Sequence, residues 1–227
     1  MRDLIRSADC ILFDFDGPIC RLFAHHPAPL IAENLRSLIR EQGGQDELLR
    51  RVADTGDPLA VLRAAEAHSS LAATLQKALT EEELRAAESA EPTLHADALA
   101  RSLVAAGRRV AVTTNNSAPA VEHYLTRHGL MPLFAEHVHG RQDDARLLKP
   151  HPDCLLRALT ATSTPASRAL MIGDTVHDLR AARAARVPFL GFSPRPERRA
   201  DLAAAEADEV VGDLGEVVSA FEQHAQG

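Results

Sequence analysis

A hydrophobic run near the start of the chain ends in two carboxylates. Residues 11–20 read ILFDFDGPIC, with Asp14 and Asp16 on either side of Phe15 and Gly17-Pro18 directly after. Two carboxylates held at the end of a strand-like apolar stretch repel each other unless a cation or a shared proton intervenes. Three later segments also end in polar groups with chemical use. AVTTNNS delivers Thr114 and Asn115 just before a helix, and LLKPHPD delivers Lys149 ahead of another. MIGDTVHD delivers Asp174 and, four residues on, Asp178. Asp14 and Asp174, with main-chain carbonyls and water, form an oxygen-rich set suited to Mg2+, which uses few protein carboxylates and keeps several waters. The Thr114 hydroxyl, amides at a helix start and the Lys149 ammonium form a pocket for a tetrahedral anion. A metal, an anion pocket and a spare carboxylate are the parts of phosphoryl transfer, where catalysis rests on positioning and charge neutralisation.

These groups meet only if their strands end on one edge of a sheet. Residues 10–15 are too short for a helix and apolar on both faces, the pattern of a buried parallel strand. Similar runs occur at 109–114, 169–174, 188–192 and 209–212, with EHVHG (136–140) as a weaker strand. Helical spacing fills the intervals at about 95–106, 117–128, 152–160, 176–185, 196–205 and a last segment to about 224. This alternation predicts an α/β fold: a doubly wound, Rossmann-like parallel sheet covered by helices on both sides, with ligands beyond the carboxyl ends of the strands. Between the first strand and the rest, residues 30–42, 57–79 and 81–90 read as helices, punctuated by GG at 43–44 and DTGDP at 54–58. The expected organisation is a core of residues 1–19 and 93–227, with an all-helical domain of residues 20–92 inserted in it.

With DFDGP, VTTN, LLKP and GDTVHD in this order, and a helical insert after the first, the sequence resembles the haloacid dehalogenase-like hydrolase superfamily, in its phosphatase branch with a type 1 helical cap. The resemblance covers nearly the whole chain. It implies Asp14 as the nucleophile that forms an aspartyl-phosphate, and Asp16 as acid toward the leaving oxygen and then base toward water. It further implies Thr114 and the Asn115 amide as phosphate-binding groups, with Lys149 neutralising Asp14 and the phosphate. Asp14, Asp174 and the Asp16 carbonyl would hold Mg2+, with Asp178 supporting the site from behind. Two positions depart from the pattern: Pro18 stands where the family usually has Thr, and Arg186 where a helix-ending Gly is usual.

The bland alternatives are turn-forming aspartates, a helix capped by Thr114 or Asn115, and Asp174 and Asp178 as an N-cap and a first-turn charge. A net charge of −7 argues against nonspecific binding to nucleic acid or an anionic membrane. No run approaches the roughly 18 consecutive apolar residues of a membrane span. Three cysteines, Cys10, Cys20 and Cys154, give no disulfide framework and fit a reducing cytoplasm. Lysine occurs only at positions 77 and 149; Lys77, late in a long helix, is a poor Schiff-base candidate, which disfavours a phosphonoacetaldehyde hydrolase. Asp16 and Asp174 disfavour a metal-free dehalogenase. The expected protein is a Mg2+-dependent phosphatase of a small phosphorylated metabolite, monomeric or homodimeric, with a sugar phosphomutase or a catalytically silent binding protein as alternatives. DTGDP, carrying Asp54 and Asp57, is expected to lie over the site and favour leaving groups with hydroxyls or an amine over strongly anionic ones.

Overall fold

The computed structural model describes residues 1–43, 45–135 and 137–222. Gly44 of the expected 43–44 turn, Glu136 of the expected 136–140 strand and the end of the expected last helix (223–224) lie outside the described residues. The strands are β1 (Cys10–Phe13), β2 (Cys20–Arg21), β3 (Glu91–Pro92), β4 (Arg109–Thr113), β5 (Val138–His139), β6 (Ala169–Gly173), β7 (Phe189–Phe192) and β8 (Glu209–Val211). Six of them form one parallel sheet in the order β5-β4-β1-β6-β7-β8. From β1 the order runs to β4 on one side and to β6 on the other. The end of β1 is therefore the switch point at which a crevice opens.

Alternation along β1 explains its unbroken apolar run. Ile11 and Phe13 join a cluster on one face with α1 (Arg2–Ser7), α6 (Ala96–Ala105), α7 (Ala118–Arg127), α8 (Met131–Phe134) and α12 (Leu214–Glu222). Cys10 and Leu12 join the other, with α9 (Asp153–Ala161), α10 (Val176–Ala185) and α11 (Pro196–Ala204). Helices thus cover both faces, as the alternation of strands and helices requires.

Between β2 and β3 lie α2 (Ala28–Gln42), α3 (Asp46–Arg51), α4 (Pro58–Ala65) and α5 (Ser69–Ser89). β2 and β3 pair antiparallel, Cys20 with Pro92 and Arg21 with Glu91, so the chain leaves and returns through one narrow neck. The helical block has its own apolar cluster, built on Ile31, Leu35, Leu62 and Leu75, but Ala145 and Leu148 from beyond β5 also belong to it. Conversely, Ala86 and Ala87 of α5 belong to the sheet's cluster.

The helix expected over 57–79 is two helices, and the break expected before residue 81 is absent. The chain bends at residues 66–68, where Glu66 Oε2 accepts from Ala145 N at 3.1 Å. That contact comes from 79 residues away, and no Gly or Pro marks it. Thr80, by contrast, lies within α5, its hydroxyl donating to the Gln76 carbonyl at 3.0 Å. The helices α1, α3 and α8 and the strands β2 and β3 are further elements beyond those expected, each of six residues or fewer.

Candidate active site

Asp14 follows β1, Thr114 follows β4, Asp174 follows β6, and Lys149 lies in the segment before α9; the structure brings all of them together. Lys149 is 1% exposed. Its ammonium donates to Asp14 Oδ1 at 3.0 Å, to Asp178 Oδ1 at 2.7 Å and to the Thr113 carbonyl at 2.6 Å. These contacts use all three hydrogens of an ammonium. The lysine is a fixed point charge between two carboxylates, and both raise its pKa against the opposing effect of burial.

Asp178 has a second task. Thr175 is the N-cap of α10 and exchanges hydrogen bonds with Asp178 in a capping box, Asp178 Oδ2 accepting from Thr175 N and Oγ1 at 3.0 and 2.6 Å. Since Thr175 caps the helix, Asp174 does not. Asp174 Oδ2 accepts from Arg198 Nη1 at 2.6 Å, while its buried Oδ1 has no hydrogen-bond partner among the described residues.

Carboxylate oxygens of Asp14, Asp174 and Asp178 lie within 4.8 Å of one another. Burial, then the Asp178 charge, pushes the Asp14 pKa up by more than Lys149 pulls it down. Burial and the charges of Asp178 and Asp14 likewise raise Asp174. A small hard cation answers this arrangement: oxygen donors, one buried oxygen bare, and a guanidinium already drawn to the other. Gly17 leaves room for the Asp174 carboxylate. At φ 126° it sits in a conformation suited to glycine, and a Cβ there would meet Asp174 Cγ at 2.7 Å.

Asp16 stands three residues beyond the strand, with Leu22 N donating to its Oδ1 at 2.8 Å. Burial lifts its pKa to about 6, a value from which a carboxyl can give and take a proton near neutrality. The Thr114 hydroxyl donates to Asn116 Oδ1 at 3.0 Å and accepts from Asn116 N at 3.2 Å, folding the turn before α7. Asn115 joins that turn to the lysine segment, its Oδ1 accepting from Lys149 N at 2.8 Å. Neither residue caps α7, whose N-cap is Ser117.

A cleft of about 760 Å³ opens at Asp16, Gly17 and Asp174, and Arg21, Arg195 and Arg198 line it. The DTGDP loop has contacts within the helical block. Asp57 Oδ1 accepts from Leu59 N and caps α4, while the Thr55 carbonyl accepts from Arg36. Arg198 and Thr175 are site residues beyond those expected. The Thr-x-x-Asp spacing carries the signal for Thr175; for Arg198 there is none, since it lies 24 residues from Asp174.

Residues 8–186 match the model of the haloacid dehalogenase-like hydrolases, and the chain belongs to that family. Over 119 residues it is 33% identical to a phosphoglycolate phosphatase of Nitrosococcus oceani, spanning 52% of this chain and about half, 52%, of that relative's length. A phosphoglycolate phosphatase of Colwellia psychrerythraea is 28% identical over 198 residues, 83% of this chain and 86% of that one. CbbY from Rhodobacter sphaeroides, crystallised in complex with phosphate, shares the fold: the TM-score is 0.68 at 22% identity, over 92% of this chain and 96% of that one.

Proposed function

We propose that the protein is a Mg2+-dependent phosphatase of a small phosphorylated metabolite, working through an aspartyl-phosphate on Asp14. The observation that carries this is the pairing of a fully engaged Lys149 with a bare Asp174 oxygen on either side of Asp14. Asp14, Asp174 and the Asp16 carbonyl would hold the Mg2+, which when bound neutralises the phosphoryl oxygens. Lys149 fixes Asp14 Oδ1, so the carboxylate meets phosphorus in one orientation. Asp14 oxygen attacks phosphorus while the bond to the leaving oxygen breaks, and Asp16 gives that oxygen its proton. The Asp16 carboxylate then takes a proton from water as the water attacks phosphorus and the bond to Asp14 breaks. Because the Asn115 side chain is engaged with Lys149, its share of phosphate binding falls to its main-chain N–H, beside the Thr114 hydroxyl.

The relatives' names, together with the arginine-lined cleft at Asp16, favour a substrate whose leaving group carries a carboxylate, as phosphoglycolate does. This differs from the hydroxyl or amine preference expected from DTGDP, whose Asp57 caps α4. Three buried free cysteines support a reducing, cytoplasmic setting. Phosphate release across a panel of phosphorylated metabolites, with Mg2+ and with a chelator, tests the reading. Free phosphate from a carboxylated monophosphate, lost on chelation, is the expected result. An isomerised sugar phosphate without release, or activity that survives exhaustive chelation, overturns it.

A further inference from the structure

Glu83 lies on α5, in the helical block, yet its carboxylate serves the core. Its side chain is 1% exposed and that of its partner, Arg141, 2%. Arg141 Nη1 donates to Glu83 Oε1 at 2.7 Å and Nη2 to Oε2 at 3.1 Å. From the other side, Ser117 N donates to Oε2 at 2.9 Å and Asn116 Nδ2 to Oε1 at 3.2 Å. Arg141 also donates through Nη1 to the Asn115 carbonyl at 3.0 Å and through its main-chain N–H to the Asn116 carbonyl at 2.8 Å. One ion pair therefore holds three consecutive residues, those directly after Thr114.

The electrostatics give this a purpose. The amino end of α7 offers unpaired N–H groups and partial positive charge, which attract an anion. Ser117, at the N-cap position, makes no side-chain capping bond, and its hydroxyl has no partner among the described residues. A carboxylate from another element caps the helix instead, and left alone that charge would repel a phosphoryl group bound at Thr114. Arg141 cancels it. The attraction within such a buried pair is by itself weak evidence of a stabilising role, since the cost of taking both charges out of water offsets it.

We propose that Glu83 and Arg141 are positioning residues: together they hold the Asn115–Ser117 turn in its phosphate-binding shape and make that shape depend on the docking of α5. The proposal rests on the phosphatase reading of the site. It follows by linkage that phosphate bound at the turn strengthens the docking of the helical block, and the reverse.

The test uses inorganic phosphate as the probe, by calorimetry with Mg2+ and by inhibition of p-nitrophenyl phosphate hydrolysis. The variants are the double Glu83→Leu/Arg141→Met and the singles Glu83→Gln and Arg141→Gln. The double variant is expected to melt somewhat below the wild type, since Ser117 N and Asn116 Nδ2 lose their acceptor, and to bind phosphate at least about tenfold more weakly, with KM rising more than kcat falls. Among the singles, Arg141→Gln leaves the Glu83 charge uncompensated and should bind phosphate more weakly than Glu83→Gln. Phosphate affinity within about twofold of wild type in the double variant reduces the pair to a structural contact and overturns the proposal. If the double variant does not fold, the singles decide: the stated order supports the proposal, and an equal or reversed order overturns it. Wild-type protein that binds no phosphate overturns the phosphatase reading and this proposal with it, whereas binding by wild type and variants alike overturns the proposal alone.

Discussion

Two groups of buried carboxylates stand on the two sides of the turn after Thr114 and are treated in opposite ways. Each oxygen of Glu83 takes a hydrogen bond from Arg141 and a second from the turn. Asp14 and Asp178 share one ammonium, and Asp174 keeps an oxygen with no partner among the described residues. Burial and mutual repulsion hold Asp14 and Asp174 above the usual carboxylate range. The fold could satisfy a buried carboxylate here, as Glu83 proves, so the unsatisfied ones mark the place where something else is meant to bind. Frustration is concentrated where the chemistry is expected.

The largest effect tests that division directly. Asp14→Asn should lower kcat at least about a thousandfold, a barrier increase of roughly 4 kcal/mol. The same change removes one of the repelling charges, so the Mg2+-free variant should melt at or above the wild-type temperature. A clear loss of thermal stability would mean that Asp14 is a structural partner of Lys149 and would break the comparison. The satisfied carboxylate should behave in the opposite way. Glu83→Ala leaves the Arg141 guanidinium buried without its partner and should cost about 3–5 kcal/mol of unfolding free energy, read from denaturant midpoints.

Asp174 addresses the bare oxygen. Replacing it with Asn should weaken Mg2+ binding about a hundredfold, on the scale of a lost ligand in a site that has few protein ligands. The rise in melting temperature with added Mg2+, measured without substrate, is the direct readout. An unchanged Mg2+ dependence would move the cation elsewhere. His139 provides a milder case, a buried neutral group with one nitrogen unpartnered among the described residues. Burial, then Arg157 and His137, pushes its imidazole down to about 4, against about 6.5 in an exposed chain. Below pH 6.5 the unfolded chain takes up a proton that the folded protein refuses. Stability should therefore fall between pH 6.5 and 4, by about 2 kcal/mol at pH 5 and on the order of 3 kcal/mol in all. Urea midpoints at pH 7 and pH 5 measure this, and His139→Leu should flatten the difference. If the slope persists in that variant, the acid sensitivity belongs to other groups and His139 carries no such cost.

The sheet and the strand-end groups could be read from the sequence because each signal is local. The apolar run, its terminal carboxylates and the following Gly17-Pro18 occupy eight consecutive residues, 11–18. Thr175 and Asp178 likewise announce their capping box at a fixed spacing. Glu83 offers no such signal: it is the last of three consecutive glutamates, 81–83, at the start of the helix expected over 81–90. Its partner is 58 residues away, and only the packing of α5 on α7 makes it a core residue. The bend at residues 66–68 was hidden for the same reason, being stabilised by the distant Ala145 N–H. What a residue does through its neighbours in sequence is visible before folding, and what it does through tertiary approach is not.

The smallest effect asks whether backbone strain marks function as unsatisfied charge does. Gly17 takes a positive φ of 126° beside Asp174, and Arg186 takes one of 58° as the C-cap of α10. Gly17 is glycine because a Cβ would strike Asp174. Arg186 adopts the left-handed conformation although it carries a Cβ, at a helix end where glycine pays no steric penalty. Its main-chain N–H accounts for the helix end by donating to the Arg183 carbonyl at 3.0 Å, a contact that any residue type would keep. Arg186→Gly should therefore raise stability by about 0.5–1 kcal/mol, the relief of left-handed strain less the added freedom of the unfolded chain. Phosphate release should be unchanged, since α10 presents Asp178 from its opposite end. A stabilised, fully active variant would show that strain by itself is merely tolerated in this fold, leaving unpaired buried charge as the mark of the site. A loss of activity would instead mean that the C-terminal end of α10 helps to set Asp178 against Lys149, and the boundary between the two regions would have to be redrawn.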